Sequence, residues 1–267
     1  MALVQQLQPS QTFQQYIDSS DRIVQSSSIF CKGSKHISSK DNEHFRPLGG
    51  FKEIDPPIEH LDRLQRIVDG KCTLPPLISF PKSIYHESDA ATLYVIEIAQ
   101  RAQVLFSVAF SDFHLEFAQE WTYFDGKKVD ASLDFLWRVE QHGCYHTLCF
   151  TEFKQPGSIH LDEWRSAIGR RGELEGTPEE QSQQLSRYFS IRETDRCQFT
   201  DITNTVSMFL EESPKNLDMN DPANVFRVGA ASCEVWMTEN ATTWGGESLL
   251  GSTLAFMYEC LRRDGWI

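Results

Sequence analysis

The chain has 267 residues, with 25 Lys and Arg against 38 Asp and Glu, a formal net charge of −13 and a pI of about 5.0. That balance argues against a protein that coats nucleic acid, because non-specific affinity comes from Lys and Arg neutralising phosphates. A local basic rim on an acidic body, or a set of metal-binding carboxylates, is still compatible with it.

The length suits one well-packed core and does not require two full domains. Mean hydropathy is −0.40, and no apolar run approaches the roughly 20 residues needed to span a bilayer. The start, MALVQQLQPSQTFQQ, lacks the basic and apolar stretches of a secretory leader. The expectation is a soluble intracellular protein of the cytoplasm or nucleus, without membrane contact. The seven cysteines are scattered without CxxC pairs, which points to reduced, buried thiols rather than a zinc ribbon.

In chain order, residues 1 to about 50 are polar and rich in Ser and Gln and read as a partly flexible arm, with a short amphipathic helix near Phe13 to Val24. Residues 51–267 read as a single domain. Between Pro56 and Pro81, Ile58, Leu61, Leu64, Ile67 and Val68 recur at helical spacing. A longer helix follows from about Glu87 through Phe106, with Ala91, Tyr94, Val95 and Ile98 on one stripe.

Three strands are expected next, from FSVAFSDFHLEFAQEWTYF, VDASLDFLWRV and CYHTLCFTEFK. All are rich in aromatic and β-branched residues, and Asp125-Gly126 and Gln141-His142-Gly143 mark the turns. A second helix is announced by Thr177-Pro178-Glu179-Glu180, where Thr177 suits a cap, Pro178 the first helical position and Glu180 a capping box. CQFTDITNTVSMFLE and FRVGAASCEVWMTEN read as strands, and ESLLGSTLAFMYECLRRDGWI as a closing helix.

The stretch that carries chemistry is Leu133-Asp134-Phe135 followed by Glu152-Phe153-Lys154 on the next strand. Alternation along a strand directs Glu152 and Lys154 to one face and Phe153 to the other. With Asp134 on the neighbouring strand, two carboxylates and an ammonium converge. Mg²⁺ (or Mn²⁺) prefers a few oxygen ligands plus waters, which Asp134, Glu152 and the carbonyl of Phe153 can supply. Phosphodiester hydrolysis needs such a cation to offset charge and activate water, and Lys154 beside it can orient the water or stabilise developing charge. The bland reading of the same residues is a salt-bridge ladder across two strands, worth little.

Read this way, the chain resembles the PD-(D/E)XK nuclease superfamily, with Leu133-Asp134 as a first half-motif lacking its proline and Glu152-Phe153-Lys154 as the second. Gln184-Leu-Ser-Arg-Tyr188 looks like the QxxxY element of the exonuclease-like branch, its two side chains sharing one helical face. The acidic residue of the first helix is matched best by Glu87, with Glu97 as the alternative. The resemblance covers residues from about 85 to 210, and FTEFKQPGSIHLDEW is similar to fungal nuclease-like domains often joined to a protein-kinase-like domain, of which this chain carries no signature.

It implies an α/β fold with a restriction-endonuclease-like core, a mixed central β-sheet flanked by helices, and a metal-dependent nuclease acting on nucleic acid, with DNA the expected substrate. Some exonuclease-like relatives form rings, so a homo-oligomer is among the states it implies. A kinase-like partner domain is implied if the sequence is a fragment. The rival expectation, which the acidic charge favours, is a catalytically idle nuclease fold used as a binding or regulatory module. His142 and His146 read as ordinary turn histidines, Trp236, Trp244 and Trp266 as core, and Arg165, Arg170 and Arg171 as either a phosphate-facing cluster or a solvated basic turn.

Overall fold

The computed structural model describes residues 12–18, 28–29, 50–70, 83–84, 87–125, 128–169, 176–192, 194–211, 233–239 and 248–267. Residues 13–18 form a helix (α1), and β1 (Ser28–Ile29) pairs in parallel with β3 (Ser83–Ile84). The main sheet has seven strands: β2 (Phe51–Glu53), β4 (His114–Asp125), β5 (Lys128–Gln141), β6 (Cys144–Phe153), β7 (Arg196–Thr200), β8 (Asn204–Leu210) and β9 (Cys233–Glu239). Their spatial order is β2-β9-β8-β7-β6-β5-β4. The β6–β7 and β2–β9 pairs are parallel and the others antiparallel. The architecture is therefore α/β, with a mixed sheet between two layers of helices.

The parallel β6–β7 pair requires a crossover, and α5 (Leu161–Gly169) and α6 (Thr177–Arg192) lie within it. These helices cover one face, where Leu161, Trp164, Leu185 and Phe189 pack with Leu136, Phe150 and Phe199. The opposite face carries α2 (Glu59–Asp69), α3 (Glu87–Tyr94), a π-helical stretch (Val95–Ala99), α4 (Gln100–Ala109) and α7 (Leu249–Arg263). Strand alternation assigns residues between the layers: Cys149 and Phe153 of β6 join the α3–α7 core, and Phe150 joins the α5–α6 core. β6 is thus buried on both faces along its second half.

Several expectations are corrected in detail. The long helix continues through Ala109 because Leu105, Phe106 and Ala109 extend its buried stripe, so β4 begins only at His114. The segment CQFTDITNTVSMFLE is not one strand but the β7–β8 hairpin, broken at Asp201 to Thr203. EWRSAIG belongs to helix α5 instead of a basic turn, since Leu161, Trp164 and Ile168 fall on one helical face. Ile58 stands outside the α2 stripe, 46% exposed just before the helix, whereas Leu61, Leu64 and Val68 are buried.

Of the polar stretch 1–50, most lies outside the described residues, but Phe13, Tyr16 and Ile17 of α1 are fully buried in the main core. The Gln141–Cys144 pair closes through His142 (φ 54°) and Gly143 (φ 78°), the two left-handed residues a type I′ turn needs. Gly126 and Trp244 lie outside the described residues, as do Cys31 and Cys72; Cys149, Cys197, Cys233 and Cys260 are buried free thiols and Cys144 an exposed one. Among the described residues, no helix is long and apolar enough to cross a membrane.

Candidate functional site

The site forms where β5 and β6 part. Their ladder ends at the Phe135–Thr151 pair, while β6 runs on to Phe153 against β7. Asp134 is the next residue of β5, and its side chain takes over where the ladder stops: Oδ2 accepts the Phe153 backbone N–H at 2.7 Å. Parity puts Asp134 on the same face as Leu136, and Glu152 on the same face as Phe150, the face covered by α6. Lys154 follows the end of β6 and continues that face.

Glu152 and Lys154 form an ion pair, Nζ to Oε1 at 2.6 Å, with side chains only 3% and 16% exposed. Gln184, in the middle of α6, donates through Nε2 to the same Oε1 at 2.8 Å and to the Tyr188 hydroxyl oxygen at 2.8 Å. The i, i+4 spacing places both side chains over Glu152. The ammonium of Lys154 also lies 5.7 Å from the centre of the Phe199 ring.

Glu87 opens α3 on the other side of the sheet. Its residue is exposed at the helix start, yet its carboxyl is raised above the ordinary value, first by desolvation, with Lys154 lowering it and Asp134 raising it. Asp134, Glu152, Lys154, Gln184, Tyr188 and Glu87 therefore share one electrostatic neighbourhood. Glu97 lies elsewhere: it pairs with Arg101 at 3.1 Å, and Arg101 reaches the Tyr16 carbonyl of α1.

The electrostatics follow from burial. Desolvation pushes Glu152 up to about 8, with the Lys154 charge opposing the rise and Asp134 and Glu87 adding to it. Lys154 stays raised because the carboxylates of Glu152, Glu87 and Asp134 outweigh its own desolvation. The Tyr188 hydroxyl is held well above its ordinary value by burial and by Glu152, so it remains a neutral phenol.

Glu152 Oε2 is the telling atom: it is buried and has no hydrogen-bond partner. A buried carboxyl oxygen without a partner is costly; a proton, which burial favours here, satisfies it at lower pH, and a cation would take the proton's place. Asp134, Glu152 and the Phe153 carbonyl are hard oxygen donors suited to Mg²⁺ or Mn²⁺. Among the described residues no group of three or more His, Cys, Asp or Glu is gathered closely enough to hold a metal ion. A cation held by these donors would therefore keep several waters instead of sitting in an all-protein cage.

The other candidates separate from this site. Arg165 pairs with Glu53 at 3.5 Å and Asp162 at 3.7 Å, and Arg170 and Arg171 lie outside the described residues. Trp236 is buried core; His146 and Trp266 pack against each other with ring centres 5.4 Å apart.

Sequence reasoning missed two supports. Tyr94 packs edge-on against Phe135 and Phe153, behind the two strands that carry the site, and donates to Gln198 Oε1 at 3.1 Å. Asp201 gathers the β7–β8 turn, and the Asp-Ile-Thr-Asn run was its signal, since Asp and Asn favour such turns.

In comparisons with known proteins, the chain matches no family model, no curated protein and no solved structure.

Proposed function

We propose that the chain is a divalent-cation-dependent nuclease of the PD-(D/E)XK type, hydrolysing phosphodiester bonds of nucleic acid, with DNA the first substrate to test. The observation that carries the reading is Lys154 and Gln184 converging on one oxygen of a buried Glu152 whose second oxygen has no partner. The order of elements supports it: a long helix, the antiparallel β4-β5-β6 meander, a helical crossover, and β7 parallel to β6. This is the helix, three strands, helix, strand order expected from the sequence, with a further helix, α5, in the crossover.

A bound cation would supply charge neutralisation at the phosphate and a more acidic water. Asp134 and Glu152 would hold it. Asp134 also holds the Phe153 amide and so fixes the backbone between Glu152 and Lys154. Lys154, whose charged form the acidic groups of Glu152, Glu87 and Asp134 favour over its own desolvation, donates to Glu152 here and would orient the attacking water or meet charge on the phosphate. Gln184 holds the Glu152 carboxyl, the Tyr188 hydroxyl accepts from Gln184, and Glu87 adds a carboxyl in the field of Lys154.

The test is cleavage of linear duplex, circular and single-stranded DNA with Mg²⁺, Mn²⁺ or EDTA, comparing the wild-type chain with Lys154→Ala. Metal-dependent cleavage reduced by roughly 100-fold or more in the variant is expected. A folded protein that cleaves none of these, and binds no Mn²⁺ by calorimetry, refutes the reading. The net charge of −13 would then favour an idle nuclease-like fold serving as a binding module.

A further inference from the structure

Lys154 lies one residue beyond β6, at the last backbone bond between β6 and β7. Its N–H donates to the Thr200 carbonyl at 2.9 Å, at the end of β7. The chain then runs through residues 155–160 to α5, and that stretch is held from two sides. From α6, Gln181 Nε2 donates to the Ser158 carbonyl at 3.2 Å while its Oε1 accepts from Trp164 Nε1 at 3.1 Å. From the β7–β8 turn, Asp201 Oδ2 accepts the Ile159 N–H at 2.9 Å, and Asn204 Nδ2 donates to the Ile159 carbonyl at 2.9 Å.

Asp201 is itself fully buried. Its other oxygen accepts the Thr203 N–H at 3.0 Å, the Thr203 hydroxyl at 2.7 Å and the Asn204 N–H at 2.8 Å. These bonds surround Ile202, a β-branched residue with φ of 76° and no exposed surface. A β-branched side chain in that region is strained and persists only where its surroundings over-determine it. A looser turn would leave the sheet cheaper to fold but would free the loop that follows Lys154. The carboxyl ends of the parallel strands β6 and β7 meet here, the place where ligands bind in α/β sheets.

We propose that Asp201 is a positioning residue: through the strained β7–β8 turn it clamps the loop 155–160 and thereby holds Lys154 in register with Glu152. The clamp rests on the proposed nuclease site for its purpose, and on the hydrogen bonds alone for its existence. It acts through the Lys154 backbone and touches neither substrate nor cation.

The experiment follows the side-chain ammonium of Lys154 by ¹⁵N NMR on the full chain, in wild type, Asp201→Ala and Asn204→Ala. Cleavage of linear DNA with Mn²⁺ is measured in parallel. A buried, ion-paired ammonium exchanges slowly. Both variants are expected to speed its exchange roughly tenfold or more by local opening, while amides of β9 and α7 keep their protection. Asn204→Ala leaves the Asp201 bonds to Ile159 and Thr203 in place and serves as the milder variant should Asp201→Ala fail to fold. Unchanged Lys154 exchange in a folded variant overturns the clamp, even if melting temperature falls. Faster exchange with lowered kcat and unchanged KM supports it. Faster exchange in a chain whose wild type cleaves nothing keeps the clamp and sinks the nuclease reading.

Discussion

Replacing Glu152 by Gln should make the protein more stable near neutral pH, by an amount that pH itself sets. The free side chain titrates near 4.3 in an unfolded chain, whereas burial raises it to about 8 in the fold. Between those values the folded state binds one more proton than the unfolded state. The contribution of Glu152 is therefore complete below about pH 4 and is lost as pH rises toward 8, at about 1.4 kcal/mol per unit. From pH 5.5 to 7.5 the wild type should lose roughly 3 kcal/mol that Glu152→Gln keeps. Solvent screening takes little from this figure, since the carboxyl is 3% exposed.

Gln retains an acceptor for Lys154 and Gln184, and the raised ionisation of Lys154 acts only at higher pH. For a chain of this size the gap corresponds to roughly 5–10 °C in melting temperature. Urea unfolding of both proteins at half-unit pH steps, in EDTA, measures it. Stability curves that run parallel across the interval would refute the argument that burial holds a proton on Glu152.

The same proton should compete with the cation. Mn²⁺ affinity, measured by calorimetry, is expected to tighten about tenfold per pH unit between 6 and 8 and to level off above, because a ligand carboxyl must lose its proton first; a flat profile would remove Glu152 from the ligand set. Arg101→Met should cost about 3–5 kcal/mol in chemical denaturation, as it strands the buried Glu97 and releases the Tyr16 carbonyl. A loss under 1 kcal/mol would show that the pair matters little.

The local pattern carried much of this structure. Alternation in FTEFK separated Glu152 and Lys154 from Phe153 because successive side chains of a strand face opposite layers, and β6 has a packed layer on each side. The i, i+4 spacing of Gln184 and Tyr188 was enough to set them on one face of α6. What the pattern could not carry is nonlocal. The approach of Glu87 depends on α3 starting at the mouth of a sheet whose far side holds Glu152, and no spacing along the chain encodes that. The turn at Asp201 lies inside CQFTDITNTVSMF, whose flanking strand formers read as one strand when the Asp-Ile-Thr-Asn turn signal is passed over, and the left-handed Ile202 breaks it. Helix α5 was obscured by charged neighbours, although Leu161, Trp164 and Ile168 carried its period.

Helix α1 has a practical consequence for anyone cutting the gene. Its backbone reaches α2 through the Phe13 amide and Asp69 Oδ1 at 3.2 Å, and α4 through the Tyr16 carbonyl and Arg101. Phe13, Tyr16 and Ile17 fill the trough between those helices with no exposed surface. A shortened protein begun at Gly50, where the polar composition ends, would present that trough to solvent as a sticky, guanidinium-floored scar. Such a fragment should precipitate or pair with itself, so expression boundaries belong upstream of Thr12.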